Sequence, residues 1–208
     1  MTEAIRILCV DDHPVVRGGL EQFIEEQPGL TVVATAATGE EALDLYRRHH
    51  PDVTLMDLQL PGISGLDAIR VIRSEDEQAR IIVLTMYEGD EDIARALDAG
   101  AVTYLLKDTL SHELLRTIRM VHDGERPLPP NIVARLASRR TDSVLSPREL
   151  QIVELIARGM RNKEIGADLN IAEETVHQHL KNIFSKLKVH DRSAVVATAV
   201  RRGMIHLR

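Results

Sequence analysis

The chain has a single cysteine in 208 residues, which excludes an internal disulfide and any metal site built on paired thiolates. Cys9 stands inside the apolar run Ile5–Val10, where a buried core thiol is the plain reading. No apolar run approaches about 18 residues, so no membrane-spanning helix is predicted. The opening Met1-Thr-Glu-Ala-Ile-Arg6 lacks a signal-peptide pattern and enters the first apolar stretch at once. These absences make the cytoplasm the expected location. What remains is an ordinary soluble composition, 44% hydrophobic, in a length suited to one or two domains.

The net charge of -6 hides an asymmetry. Residues 1–123 carry 11 Lys/Arg against 23 Asp/Glu, or -12, and residues 124–208 carry 15 against 9, or +6. An acidic half joined to a basic half predicts two domains, the second with a polyanionic partner or merely a solvated basic surface.

The first 123 residues alternate between two periods. Ile5–Val10, Thr31–Ala36, Val53–Asp57, Ile81–Thr85 and Val102–Leu106 are short, β-branched and nearly continuous in apolar character, as parallel strands covered on both faces are. Between them lie helical patterns. Val15, Val16, Gly19, Leu20, Phe23 and Ile24 form one face, and Thr38 with Glu41 forms a capping box ahead of Ala42, Leu45 and Tyr46. Leu66, Ile69, Val71 and Ile72 mark a third helix, Ile93, Ala96 and Leu97 a fourth, and Ser111 is placed to cap a fifth. Five βα units require crossover connections and hence a parallel sheet, so the expected fold is α/β, flavodoxin-like and doubly wound. Ligands in such sheets sit at the carboxyl ends of the strands. Asp11, Asp12, Asp57, Thr85 and Lys107 all fall there.

Three carboxylates brought together repel one another, and a divalent cation relieves this. Oxygen donors without Cys or His suit Mg²⁺. Lys107 supplies a point charge for a phosphoryl oxygen, Thr85 a hydroxyl, and Asp57 a nucleophile able to become an aspartyl phosphate. Phosphoryl transfer needs little beyond in-line placement and charge neutralisation. An ion-pair network at the mouth of the sheet is the competing reading.

Val10-Asp-Asp-His-Pro14, Leu55-Met-Asp-Leu-Gln-Leu-Pro-Gly62, Val83-Leu-Thr-Met86 and Tyr104-Leu-Leu-Lys-Asp108 resemble the signature segments of two-component receiver domains, over about the first 120 residues. The resemblance implies that Asp57 accepts phosphate from a sensor histidine kinase. It implies Mg²⁺ held by Asp12, Asp57 and the Gln59 backbone carbonyl, with Asp11 nearby through water. It also implies that Thr85 and Tyr104 rearrange on phosphorylation, although Tyr104 read by itself is equally a packing residue. Gln59 and Tyr87 stand where the family tunes the lifetime of the phosphate.

Asp123-Gly-Glu-Arg-Pro-Leu-Pro-Pro130 breaks the helical pattern, and Ile132, Val133, Leu136 and Ala137 hint at a short helix before the polar Ser138–Ser143. The expected organisation is residues 1–123, a linker over 124–143, and an all-α domain over 144–208. There, Ser146-Pro-Arg-Glu149 reads as N-cap, N1 proline and capping-box glutamate. Asn162 is placed to cap a short helix over Lys163–Leu169, followed by a tight turn and a longer helix over Glu173–Lys188. A fourth helix runs over about 192–202. A short helix, a turn and a longer helix form a helix-turn-helix. The outer face of the longer helix carries His177, Gln178, Lys181, Asn182, Ser185 and Lys186, suited to phosphates and base edges but also to plain solvation.

Leu145-Ser-Pro-Arg-Glu149, Gly159-Met-Arg-Asn-Lys-Glu-Ile165 and Glu174–Ile183 with Lys186-Leu187 resemble the LuxR-type helix-turn-helix. The whole chain thus resembles a NarL/FixJ-type response regulator. The implied DNA-contacting set is Lys163, Thr175, His177, Gln178, Lys181, Asn182 and Lys186. The last helix would pair with its two-fold mate through Ala194, Ala197, Thr198 and Arg201, with intramolecular packing as the alternative. His177 stands where Lys or Arg is more usual, and Ala172 where a capping Ser is common. The functional expectation is a homodimerising transcription factor switched by phosphorylation, with no catalysis beyond phosphoryl uptake and loss at Asp57. Two other classes are kept: a phosphohydrolase, disfavoured because Gln59 replaces the usual second acid, and a receiver acting only through protein contacts.

Overall fold

The computed structural model describes residues 4–108, 111–138 and 145–206. The chain divides into two compact units. One comprises Met1–Tyr87 with Ile93–Ala134, the other Glu88–Asp92 with Arg135–Arg208.

In the first unit the five apolar runs form strands β1 (Ile5–Val10), β2 (Leu30–Ala36), β3 (Val53–Met56), β4 (Ile81–Thr85) and β5 (Thr103–Leu106). They pair in the order β2-β1-β3-β4-β5, parallel throughout. Burial on both faces explains why the runs lack polar alternation. Ile7, Cys9, Val53, Leu55, Ile82 and Leu84 pack on one side against Ile24, Leu114 and Ile118. The intervening helices are α1 (Pro14–Glu25), α2 (Gly39–His49), α3 (Gly65–Glu75), α4 (Asp90–Asp98) and α5 (Ser111–His122). The α2 cap differs in one arm from the expected box. Thr38 Oγ1 accepts from the Glu41 N–H, but the Glu41 carboxylate reaches back to the N–H of Ala37 rather than Thr38. The inner face assigned to α1 also needs correction at its start. Val15 is 87% exposed and Gly19 is exposed, so the buried stripe begins further along and ends on Ile24. The side chain of Ser111, expected to cap α5, lies outside the described residues.

After α5 the prolines end the helical pattern and α6 (Pro130–Ser138) forms the short helix expected in the linker. Its Ile132 is fully buried.

The second unit is helical: α7 (Pro147–Ala157), α8 (Asn162–Asp168), α9 (Glu173–Leu187) and α10 (Arg192–Arg201). Ile152, Val153, Ile165, Val176, Leu180, Ile183, Val195 and Ala199 close one core. The Ser146 capping box is complete: Ser146 Oγ accepts from the Glu149 N–H at 3.3 Å, and Glu149 Oε2 accepts from the Ser146 N–H at 2.7 Å. Asn162 does not cap α8 but is its first residue. Its side-chain oxygen accepts instead from Arg192 at 2.6 Å, which ties α10 to α8.

Candidate phosphoacceptor site and DNA-reading face

The register of the sheet assembles the acidic site. Val10 pairs with Met56, so Asp11 and Asp57 leave adjacent strands side by side, joined by the Asp57 N–H to Val10 carbonyl bond of 3.0 Å. On the other side of β3, Thr85 ends β4 and Lys107 follows β5, linked by the Lys107 N–H to Thr85 carbonyl bond of 2.9 Å. Lys107 Nζ then reaches Asp57 Oδ2 at 2.6 Å and Asp11 Oδ2 at 2.7 Å. Asp57 is 4% exposed and the Lys107 side chain 7%. Burial alone would push the Lys107 ammonium toward neutrality, but the bonds to Asp11 and Asp57 outweigh it and hold its pKa above the ordinary lysine value.

The backbone fits closely around Asp57. A Cβ on Gly65 would lie 1.8 Å from the Asp57 carbonyl oxygen, so only glycine lets α3 start where it does. The Gln59 N–H reaches Asp57 Oδ1 at 3.4 Å, folding the loop back over the acid. The Thr85 side chain is fully buried and its Oγ1 has no hydrogen-bond partner. Tyr104 is also fully buried, its hydroxyl donating to the Tyr87 carbonyl at 2.7 Å, so its ring points inward.

Ligating atoms of Asp11, Asp12, His13 and Asp57 all lie within 4.8 Å of one another. Asp12 Oδ1 is shielded from solvent and has His13 Nδ1 at 2.7 Å. Three carboxylates converging on one point are the hard oxygen donors a divalent cation takes, so the residues present fit such an ion. The cluster is of the kind that holds Mg²⁺ in receiver domains.

In the second unit α9 turns Thr175, His177, Gln178, Lys181 and Asn182 outward, and Lys163 on α8 is exposed as well. Asn162, Glu173, Glu174, His177 and Lys181 line a polar groove beside the start of α9. Lys186 is placed otherwise. Its Nζ is held at 2.7 Å by Glu149 Oε2, against a carboxylate that is nearly buried. That pair ties α9 to the α7 cap, a role missed because the partners are 37 residues apart. Burial works against the Glu149 charge, but Lys186 and the Ser146 N–H together keep its pKa below the usual glutamate value. Ala172 offers no side chain to the first turn of α9.

On α10 the expected pairing residues separate. Thr198 is 8% exposed and faces the core of its own unit, whereas Ala197 is exposed and Arg201 is exposed beside it. The outward apolar stripe is Val196, Ala197 and Val200, flanked by Ser193 and Arg201. Ala194 is half-buried between the two faces.

Comparison with known proteins accords with this geometry. Residues 7–119 match the response regulator receiver domain model, and residues 143–199 match the bacterial regulatory proteins, luxR family, model. The nitrate/nitrite response regulator protein NarP of Escherichia coli is 40% identical, over 93% of this chain and 92% of its own. The nitrate/nitrite response regulator protein homolog of Haemophilus influenzae is 39% identical, over 93% and 95%. Among solved structures, a two-component response regulator of the LuxR family from Aurantimonas is 43% identical with a TM-score of 0.62, covering 65% of this chain and 96% of that one. A receiver sheet with its acidic mouth, a helix-turn-helix later in the chain and relatives matched over nearly their whole length place the chain in the NarL-type family of two-component response regulators, DNA-binding proteins that regulate transcription under the control of phosphorylation.

Proposed function

We propose that Asp57 is the phosphoacceptor and that its modification controls dimerisation and sequence-specific DNA binding. The observation that carries this is the placement of the Asp57 carboxylate, almost fully buried yet held at 2.6 Å by Lys107 beside two further acids. One Asp57 oxygen attacks the phosphorus of a phosphohistidine on the sensor kinase, and the phosphorus–nitrogen bond breaks. Lys107, already placed between Asp11 and Asp57, neutralises the phosphoryl oxygens. Asp11, Asp12, Asp57 and the Gln59 carbonyl would hold Mg²⁺, which supplies further charge neutralisation when bound. The unpartnered Thr85 hydroxyl is free to donate to a phosphoryl oxygen, and the Tyr104 ring, already inward, is the aromatic that rearranges with it. The chain catalyses only its own phosphoryl uptake and loss.

Downstream, α9 enters the major groove, with Lys163, Thr175, His177, Gln178, Lys181 and Asn182 facing the DNA. The Val196–Ala197–Val200 stripe pairs with that of a second copy, giving a two-fold suited to a near-palindromic operator. We place the protein in the cytoplasm, with residues 1–123 as receiver, 124–143 as linker and 144–208 as DNA-binding domain.

The test is phosphoryl uptake from a small phosphodonor with Mg²⁺, read by intact-protein mass. Wild type gains one phosphoryl group, and Asp57→Asn gains none. Labelling of the variant at the wild-type rate overturns the assignment.

A further inference from the structure

The Asn162 amide has its orientation fixed from outside its own helix. Arg192 of α10 donates from Nη1 to Asn162 Oδ1 at 2.6 Å and from Nη2 to the Met160 carbonyl. A guanidinium carries donors only, so the atom that meets it has to be the amide oxygen. Nδ2, with its two N–H groups, is then turned away from Arg192, and it has no partner among the described residues. Asn162 also lines the polar groove that it shares with Glu173, Glu174, His177 and Lys181.

The guanidinium is half-buried and bound to two neutral acceptors, with no carboxylate partner among the described residues. Burial accordingly pulls its pKa below the ordinary arginine value. A desolvated charge without a counter-ion is costly, and an anion at the far end of the amide would offset that cost. The amide is aligned to relay it: its negative end meets the guanidinium, and its positive end is the free NH₂. Hydrogen bonds in such a chain polarise and strengthen one another.

We infer that Asn162 Nδ2 donates to a DNA phosphate oxygen and that Arg192 is the positioning residue that aims and polarises it. With Oδ1 occupied, the amide cannot make the paired donor and acceptor contact that reads adenine. A phosphate oxygen asks only for a donor, and the first helix of a helix-turn-helix crosses the backbone rather than entering the groove. The contact sets register on the duplex and not sequence choice. Glu173 and Glu174 oppose a phosphate in the groove and Lys181 attracts it, and Asn162 adds donors without adding charge. The inference rests on the reading of α8 and α9 as the DNA-contacting pair.

Fluorescence anisotropy of the phosphorylated full-length protein, on a duplex selected in vitro with the wild type, tests it alongside thermal melting. Asn162→Asp keeps an acceptor for Arg192 but replaces the N–H groups with an oxygen. It is expected to melt no lower than wild type and to bind at least about tenfold more weakly. Asn162→Ala is expected to bind about threefold to tenfold more weakly. Replacing the facing phosphate with a neutral methylphosphonate should weaken wild type but not Asn162→Ala. Arg192→Gln should match Asn162→Ala, and the two changes combined should bind no more weakly than either alone. Wild-type affinity in Asn162→Asp, or a methylphosphonate scan that Asn162→Ala leaves unchanged, overturns the contact. Additive losses in the combined variant overturn the role of Arg192. Failure of the underlying reading shows differently: the wild type selects no duplex, or Lys181→Ala binds as tightly as wild type.

Discussion

At the scale of single residues, the site depends on one missing atom as much as on charged ones. Gly65 begins α3 so close to the Asp57 carbonyl that a methyl group would overlap it. Gly65→Ala therefore has to displace the Asp57 backbone or the first turn of α3. The expected cost is about 2 kcal/mol of stability, with slower phosphoryl uptake at Asp57, checked by urea denaturation and by the labelling rate. Normal labelling in the variant would show that the loop absorbs the methyl elsewhere. Glu149 gives a second residue-level expectation, with a sign fixed by its depressed pKa. A carboxylate stabilised in the folded state contributes fully above its unfolded value, near 4.5, and loses that contribution as pH falls through the folded value. Glu149→Gln should accordingly reduce hydrogen-exchange protection of the α7 amides at neutral pH, and the difference from wild type should shrink below pH 4.5. A difference that stays constant with pH would assign the loss to shape rather than charge.

At the scale of elements, α9 starts without a side-chain cap. Ala172 holds the extended backbone of an N-cap but brings no acceptor for the exposed N–H groups behind it. Ala172→Ser should raise stability by about 1 kcal/mol, measured by urea denaturation of the full chain, and a neutral result would mean the first turn is satisfied by other means. This weakness was legible in the sequence, as were all five strands and the capping box at Ser146, because each depends on neighbours within a few residues. Convergence of Asp11, Asp57 and Lys107 was legible too, since a parallel sheet places its strand ends on one edge whatever its side chains. What escaped were relations settled by packing between elements. Helical periodicity put Val15 inside, although the first turn of α1 leaves it exposed. It also gave Lys186 to the outer face, where Glu149 captures it from another helix. Asn162 reads as a cap by type, but Arg192 from α10 takes its carbonyl.

At the scale of the molecule, the sign of the charge change constrains how phosphorylation reaches DNA. The acidic half carries 11 Lys/Arg against 23 Asp/Glu, and a phosphoryl group adds roughly another 1.5 to 2 negative charges. Direct electrostatics therefore makes the modified chain a poorer partner for a polyanion, and screening leaves little of that effect beyond about 10 Å. On the proposed function, the gain in DNA binding comes from the number of basic units engaged at once. Two linked α9 faces on adjacent half-sites convert the second contact into an intramolecular one, worth about 10²–10⁴ in avidity. The exposed stripe on α10 is the surface that can supply the link, and Val200, 37% exposed, lies within it. Val200→Glu places a buried like-charge pair at the two-fold of any such dimer. It is expected to weaken binding of the phosphorylated protein to DNA with two half-sites by at least about tenfold, with affinity for a single half-site unchanged. Lys181→Ala should do the reverse, weakening both and lowering the salt dependence per half-site by about one counterion. Fluorescence anisotropy on one- and two-site duplexes across a salt series separates the two effects. If Val200→Glu weakens both duplexes alike, α10 supports the fold of its own unit and the dimer forms through another surface.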